Sequence, residues 1–133
     1  MGRGTPAAVA ALAALGTVVC SSAQASPGKL LDVGRDDGLP VAFAKGTAVS
    51  PRALLVRVTA DPDQPVEVTW DTNCARGAKG KIREGEYTIS GGGLRRVKHG
   101  FRRPDDCLVN VIAAYADHGL AGRLKIELFA RRR

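Results

Sequence analysis

The sequence predicts an all-β domain, an antiparallel sandwich of six to seven strands held by one disulfide. Three observations predict it. Apolar residues alternate with polar ones along several runs, the mark of strands with one buried face. Turn signals rich in Gly, Pro and Asp separate those runs at intervals of about ten residues. Cys74 and Cys107 both fall on the apolar parity of their runs, as a bridge in or beside a core requires. Beyond residue 25 no stretch has a helical period.

The chain divides into three parts. Residues 1–25 read as a signal peptide. Arg3 begins it, an apolar Ala-rich run from Ala7 to Val19 follows, and Ala23-Gln24-Ala25 supplies an A-x-A cleavage signal. The run spans about 13 residues, short of the ~20 a bilayer crossing needs. A lipid attachment at Cys20 fits poorly, because Thr17 and Val19 stand where a lipobox has a Leu-like and a small residue. Residues 26–50 read as a flexible N-terminal arm, with Val41 and Phe43 able to share a face of a short strand. Residues 51–133 read as the sandwich.

Within the sandwich, Leu54, Val56 and Val58 alternate with Leu55, Arg57 and Thr59. Asp61-Pro62-Asp63-Gln64-Pro65 is a turn. Val66, Val68, Trp70, Thr72 and Cys74 then share one face, and a polar loop is expected from Ala75 to Lys81. The runs Glu86 to Ser90 and Leu94 to Lys98 flank Gly91-Gly92-Gly93, which reads as a hairpin. After the turn Arg102 to Asp106, one face carries Cys107, Val109, Val111, Ala113 and Tyr115. Asp117-His118-Gly119 makes the next turn, and Leu124, Ile126 and Leu128 line the inner face of the last strand. Val68, Trp70, Val109, Val111, Leu124 and Ile126 are the expected core.

If Cys20 leaves with the leader, Cys74 and Cys107 remain. An exported small domain with two cysteines implies one disulfide. It closes a loop of about 34 residues and contributes roughly 3–4 kcal/mol by loop-entropy arithmetic. A thiolate metal site would need further Cys or His ligands at close spacing, which the sequence lacks.

Trp70 shortly before Cys74, with a second Cys on a late strand, resembles the immunoglobulin domain and implies an Ig-like sandwich. The sequence departs from that pattern in two places: Trp70 precedes both cysteines, and Asp105 stands at the tyrosine-corner position. A further set of motifs is the turn Pro62 to Val66, the Val66-x-Val68-x-Trp70 strand with Cys74, the Pro104 to Cys107 segment, and the last strand Leu124 to Leu128. In these the chain resembles a family of small exported actinobacterial β-sandwich proteins with one cysteine pair, over about residues 54–130. The resemblance implies fold and an exported, extracellular location in bacteria; it carries no activity.

The formal charge is +7, from 20 basic and 13 acidic residues, which suits polyanionic partners such as nucleic acid, anionic glycans or a membrane surface. The densest basic feature is Arg95, Arg96, Lys98, Arg102 and Arg103, with His99 among them. Together with Lys79, Lys81, Arg83 and Arg131 to Arg133 it is a candidate anion-binding face. Strand parity sets Arg95 opposite to Arg96 and Lys98.

Catalytic patterns are sparse. Ser90 lacks the Gly-x-Ser-x-Gly elbow. His99 and His118 sit at turns or strand ends, and Asp117 beside His118 makes no triad by itself. Asp36-Asp37, Asp105-Asp106, Asp61 and Asp63 lack the spacing of a calcium loop. Gly91-Gly92-Gly93 lacks the Lys-Ser/Thr and helix of a phosphate loop. The expectation is therefore a non-enzymatic exported binding or structural module, at the cell surface or in the medium, with no cofactor and no metal. The alternative is an electrostatic polyanion binder using the Arg95–Arg103 cluster; a small hydrolase comes third.

Overall fold

The computed structural model describes residues 27–90 and 92–132; the signal peptide expected over residues 1–25 lies outside them. Among the described residues eight strands, instead of the expected six to seven, run β1 Lys29–Arg35, β2 Val41–Val49, β3 Ala53–Asp61, β4 Val66–Arg76, β5 Lys79–Ile89, β6 Leu94–Val97, β7 Asp106–Tyr115 and β8 Arg123–Arg131. They form two four-stranded antiparallel sheets, β1-β8-β3-β6 and β2-β7-β4-β5.

The sandwich and its disulfide are present, and the strand order inside it is a jelly roll's. β4 pairs with β5, β3 with β6, β2 with β7 and β1 with β8. The chain is thus one long antiparallel ribbon wrapped over itself, the two-Greek-key arrangement of jelly rolls. This replaces the Ig-like order, in which the strands fall into ABED and CFG sheets. It also moves the disulfide. Cys74 and Cys107 face each other across neighbouring strands of one sheet, with Cα atoms 4.0 Å apart, so the bridge links two strands on their buried parity, as expected, and differs from the inter-sheet bridge of an Ig domain.

Three local expectations change with the topology. Residues 26–50 contribute two full strands, β1 and β2, to the sandwich instead of an arm. β1 has no clear period of two because its alternation breaks: the register shifts between Leu30 and Asp32, and Gly34 is buried without a side chain. A Cβ at Gly34 would sit 2.0 Å from the Phe43 carbonyl oxygen, so only glycine lets β1 close over the β2 edge. There Asp32 Oδ2 accepts from Lys45 N at 2.9 Å.

The polar loop from Ala75 to Lys81 is a two-residue hairpin, with Arg76 paired to Lys79. Gly77 has φ +59°, which suits glycine at the first central position of a type II′ turn. Conversely, Gly91-Gly92-Gly93 does not close a hairpin. β5 and β6 belong to different sheets, so the chain passes from one to the other between Ile89 and Leu94; Gly91 itself lies outside the described residues.

The inward parity of each long strand is as the alternation implies. Val68, Trp70, Val109, Val111, Leu124 and Ile126 are all buried. Trp70 lies over Gly85 of β5, where a Cβ would come within 2.7 Å of its ring. Thr72 is fully buried among apolar neighbours and donates to the Lys98 carbonyl at 2.7 Å, which satisfies its hydroxyl and ties the end of β6 to the other sheet. Leu55 and Phe129 point outward yet are also buried. The Arg57 guanidinium lies 5.2 Å above the Phe129 ring and bonds Glu127 at 3.0 Å, so a charged side chain covers apolar surface with its stem.

Candidate anion-binding surface

The ribbon brings one set of strand ends together. At that end lie the chain segment entering β1, the β2–β3 turn, the β4–β5 hairpin, the β6–β7 connection and the residues following β8. Their charged residues are mostly basic. The β1 start supplies Lys29, the β2–β3 turn Arg52, and the hairpin Arg76 and Lys79. Lys98, Arg102 and Arg103 come from the β6–β7 connection, and Arg132 follows β8. Asp105 and Asp106 are the acids there. At the opposite end Asp36, Asp37, Asp61, Asp63 and Asp117 gather in the remaining turns.

Three of the arginines surround one cleft. Arg52, Arg103 and Arg132 line a half-open cavity of about 560 Å³ together with Ser50, Pro51, Pro104 and Asp105. Pro51 and Pro104 are buried, whereas the arginines are exposed, so a buried proline floor carries a solvent-facing cationic rim. Backbone hydrogen bonds hold the loops in register: Ser50 N donates to Asp105 O at 2.8 Å, Arg52 N to Arg131 O at 2.7 Å, and Asp105 N to Ala75 O at 2.7 Å. His99 Nε2 lies 3.0 Å from Arg52 O and, facing a carbonyl, carries the proton of that bond. Asp105 also lines the cleft; its Oδ2 accepts from Gly77 N at 2.6 Å, which orients the carboxylate toward the hairpin turn and leaves one acid beside three arginines. Guanidinium groups are planar forks of donors suited to phosphate, sulfate and carboxylate oxygens.

The sequence cluster Arg95, Arg96, Lys98, Arg102 and Arg103 is split by this geometry. Arg95 shares the inward parity of Val97, and its guanidinium lies 4.6 Å from the Tyr87 ring centroid. Burial pushes the Tyr87 phenol up to about 12, against the pull of the Arg95 charge. Arg96, paired with Leu55, faces outward from the β3–β6 side. Lys98, Arg102 and Arg103 reach the basic end, where Arg103 meets Arg52 and Arg132. Lys81 and Arg83 lie on the inner side of the β5 edge; the Lys81 ammonium sits 4.9 Å over Phe101 and donates to Gly100 O at 3.2 Å.

Arg52 was not part of the sequence cluster. It stands one residue ahead of β3 and far in sequence from Arg103 and Arg132. Its only sequence signal was its place at a strand start, which means something only once the strand ends are known to meet.

The residues considered for catalysis are kept apart. His99 is at the basic end, and His118 is at the other, 3.6 Å from Glu67. Asp117 Oδ1 accepts from Gly119 N at 3.0 Å and shapes its own turn. Among the described residues no group of three or more His, Cys, Asp or Glu side chains is placed to hold a metal ion, and no helix is long and apolar enough to cross a membrane. Searches of protein-family models, of curated proteins and of solved structures find no match to this chain.

Proposed function

We propose that this chain is an exported, non-enzymatic binding module that captures phosphate- or sulfate-bearing polymers on the basic end of its jelly roll. One observation carries the reading: three arginines from three separate segments surround a single cleft on a proline floor and outnumber its one carboxylate, Asp105, which the hairpin orients. Charge-assisted contacts of this kind position a polyanion without demanding a specific sequence or sugar. The disulfide supports export, since such bonds persist in oxidising compartments. The order of charge, apolar run and A-x-A site in residues 1–25 supports secretion, the resemblance to exported actinobacterial proteins implies a bacterial source, and the cell surface or the medium is the place of action.

The test is a binding titration against heparin and against duplex DNA over a series of salt concentrations. If three phosphates are neutralised, log K on duplex DNA falls against log salt with a slope of about −3. Arg103→Glu should remove most of the affinity. Lys45→Glu makes the same change in net charge on an exposed position far from the cleft and should leave affinity nearly intact. Equal losses in the two variants would reduce the effect to net-charge attraction. Absence of binding at low salt would end the proposal.

A further inference from the structure

The two outer faces of the sandwich carry opposite charge. Outward positions of the β1-β8-β3-β6 sheet include Arg35, Arg57, Arg96, Arg123 and Lys125 against Asp61 and Glu127, with Arg57 and Glu127 paired to each other, so cations remain in excess. Outward positions of the β2-β7-β4-β5 sheet include Glu67, Asp71, Glu84, Glu86 and Asp106, with Lys45 the single cation there among the described residues. Neither distribution is visible along the chain. β5 alone turns Lys81 and Arg83 inward and Glu84 and Glu86 outward, as the two-residue period requires.

Each face is also divided from side to side. Where β1 closes on β2, both faces expose apolar groups: Leu30 and Val33 on one sheet, Val41, Phe43 and Ile112 on the other, with Phe43 50 % exposed. On the far side, where β6 lies by β5, one face presents Arg57 and Arg96 beside an exposed Leu94, and the other Glu84 and Glu86 beside an exposed Ile82. Moving a second copy along the normal to the sheets, without rotating it, sets its β2 over the first copy's β1 and its β5 over the first copy's β6. The cation-rich face then meets the carboxylate-rich face, and the apolar groups of β1 meet those of β2, with Arg35 and Lys45 as the cations on that side.

We propose that this chain self-associates by stacking the outer face of the β1-β8-β3-β6 sheet of one copy on the outer face of the β2-β7-β4-β5 sheet of the next. The contact joins two different surfaces and leaves one of each free, so it propagates as an open stack instead of closing as a two-fold dimer. Exposed ion pairs contribute little one at a time. Their arrangement sets which face meets which, and the apolar strip supplies area removed from water. The assembly is therefore weak, concentration-dependent and sensitive to salt. It is independent of the arginine cleft, which lies at the end of the sandwich.

Sedimentation velocity over a concentration series tests it. The wild-type coefficient should rise with concentration at low salt and fall to the monomer value at high salt. Arg57→Glu/Arg96→Glu and Glu84→Lys/Glu86→Lys should each abolish the rise, and an equimolar mixture of the two should restore it. From a starting charge of +7 both variants stay net positive, so recovery by mixing cannot come from overall attraction. Arg57 is bonded to Glu127, and its replacement can disturb the fold. Glu84 and Glu86 make no ion pair among the described residues, so the second variant decides the matter if the first fails to fold. Arg103→Glu should lose polyanion binding and keep the assembly. A monomer at every concentration in low salt, or unchanged association of Glu84→Lys/Glu86→Lys, would overturn the stack.

Discussion

Gly85 offers a sharp test of the packing, because two physical effects predict opposite signs for Gly85→Ala. The residue is in a β-strand and its φ is not in the left-handed region. Backbone entropy alone would make alanine stabilising by ~0.4–1 kcal/mol, through a less flexible unfolded chain. The structure reverses the sign. An added Cβ would stand 2.7 Å from Trp70 Cζ2, 3.0 Å from Cε2 and 3.1 Å from Nε1. The indole must move by several tenths of an ångström, and it is 9 % exposed within the core. Overpacking of this kind costs ~1–3 kcal/mol. The net expectation is a loss of about 1–2 kcal/mol, or roughly 5–10 °C in melting temperature for a domain of this size.

Trp70 is the only tryptophan in the chain, so its emission reports both the displacement and the unfolding. Urea denaturation followed by fluorescence should give a lower midpoint with an unchanged slope. In a Trp70→Phe background, followed by circular dichroism, the smaller ring should relieve much of the penalty and yield a coupling energy of at least ~0.5 kcal/mol. A Gly85→Ala protein as stable as wild type, with unaltered emission, would refute the assigned contact.

Replacing both cysteines, Cys74→Ala/Cys107→Ala, should cost roughly 3–4 kcal/mol for a sequence separation of 33; a loss under ~1 kcal/mol in equilibrium denaturation would show that the β4–β7 ladder does not need the bridge. The two tyrosines predict an alkaline weakness. Burial raises Tyr87 from 10.0 to about 12; burial first, then the charges of Asp61 and Asp36, raise Tyr115, whose hydroxyl donates to the Pro62 carbonyl. A phenol with a raised pKa binds its proton more tightly in the folded than in the unfolded chain, so its stabilisation is full below pH 10 and is lost as pH climbs toward 12. Tyr87→Phe should flatten the fall in stability across that window. It should cost little at neutral pH, because the Tyr87 hydroxyl is buried without a hydrogen-bond partner. An unchanged alkaline slope would count against the burial of Tyr87.

What the sequence determined by itself was local. A period of two is written into each long strand, because successive side chains leave opposite faces of a pleated backbone. Alternation therefore identified the inner residues of β3, β4, β7 and β8, and it placed both cysteines on the buried parity. It also places Arg95 and Arg96 on opposite faces of their strand. Tertiary structure decided which strands are neighbours, since a ladder partner lies tens of residues away and leaves no mark on the short-range pattern. Gly91-Gly92-Gly93 satisfies the local rule for a hairpin, yet the ribbon wraps β6 onto β3 and leaves β5 beside β4. β1 defied the period because its bulge and its buried Gly34 answer to the β2 backbone beneath them. The arginine cleft and the opposed charged faces belong to the same class. Arg52, Arg103 and Arg132 become one surface only when antiparallel wrapping gathers their strand ends, and charge acts through space, where the order of residues along the chain has no meaning.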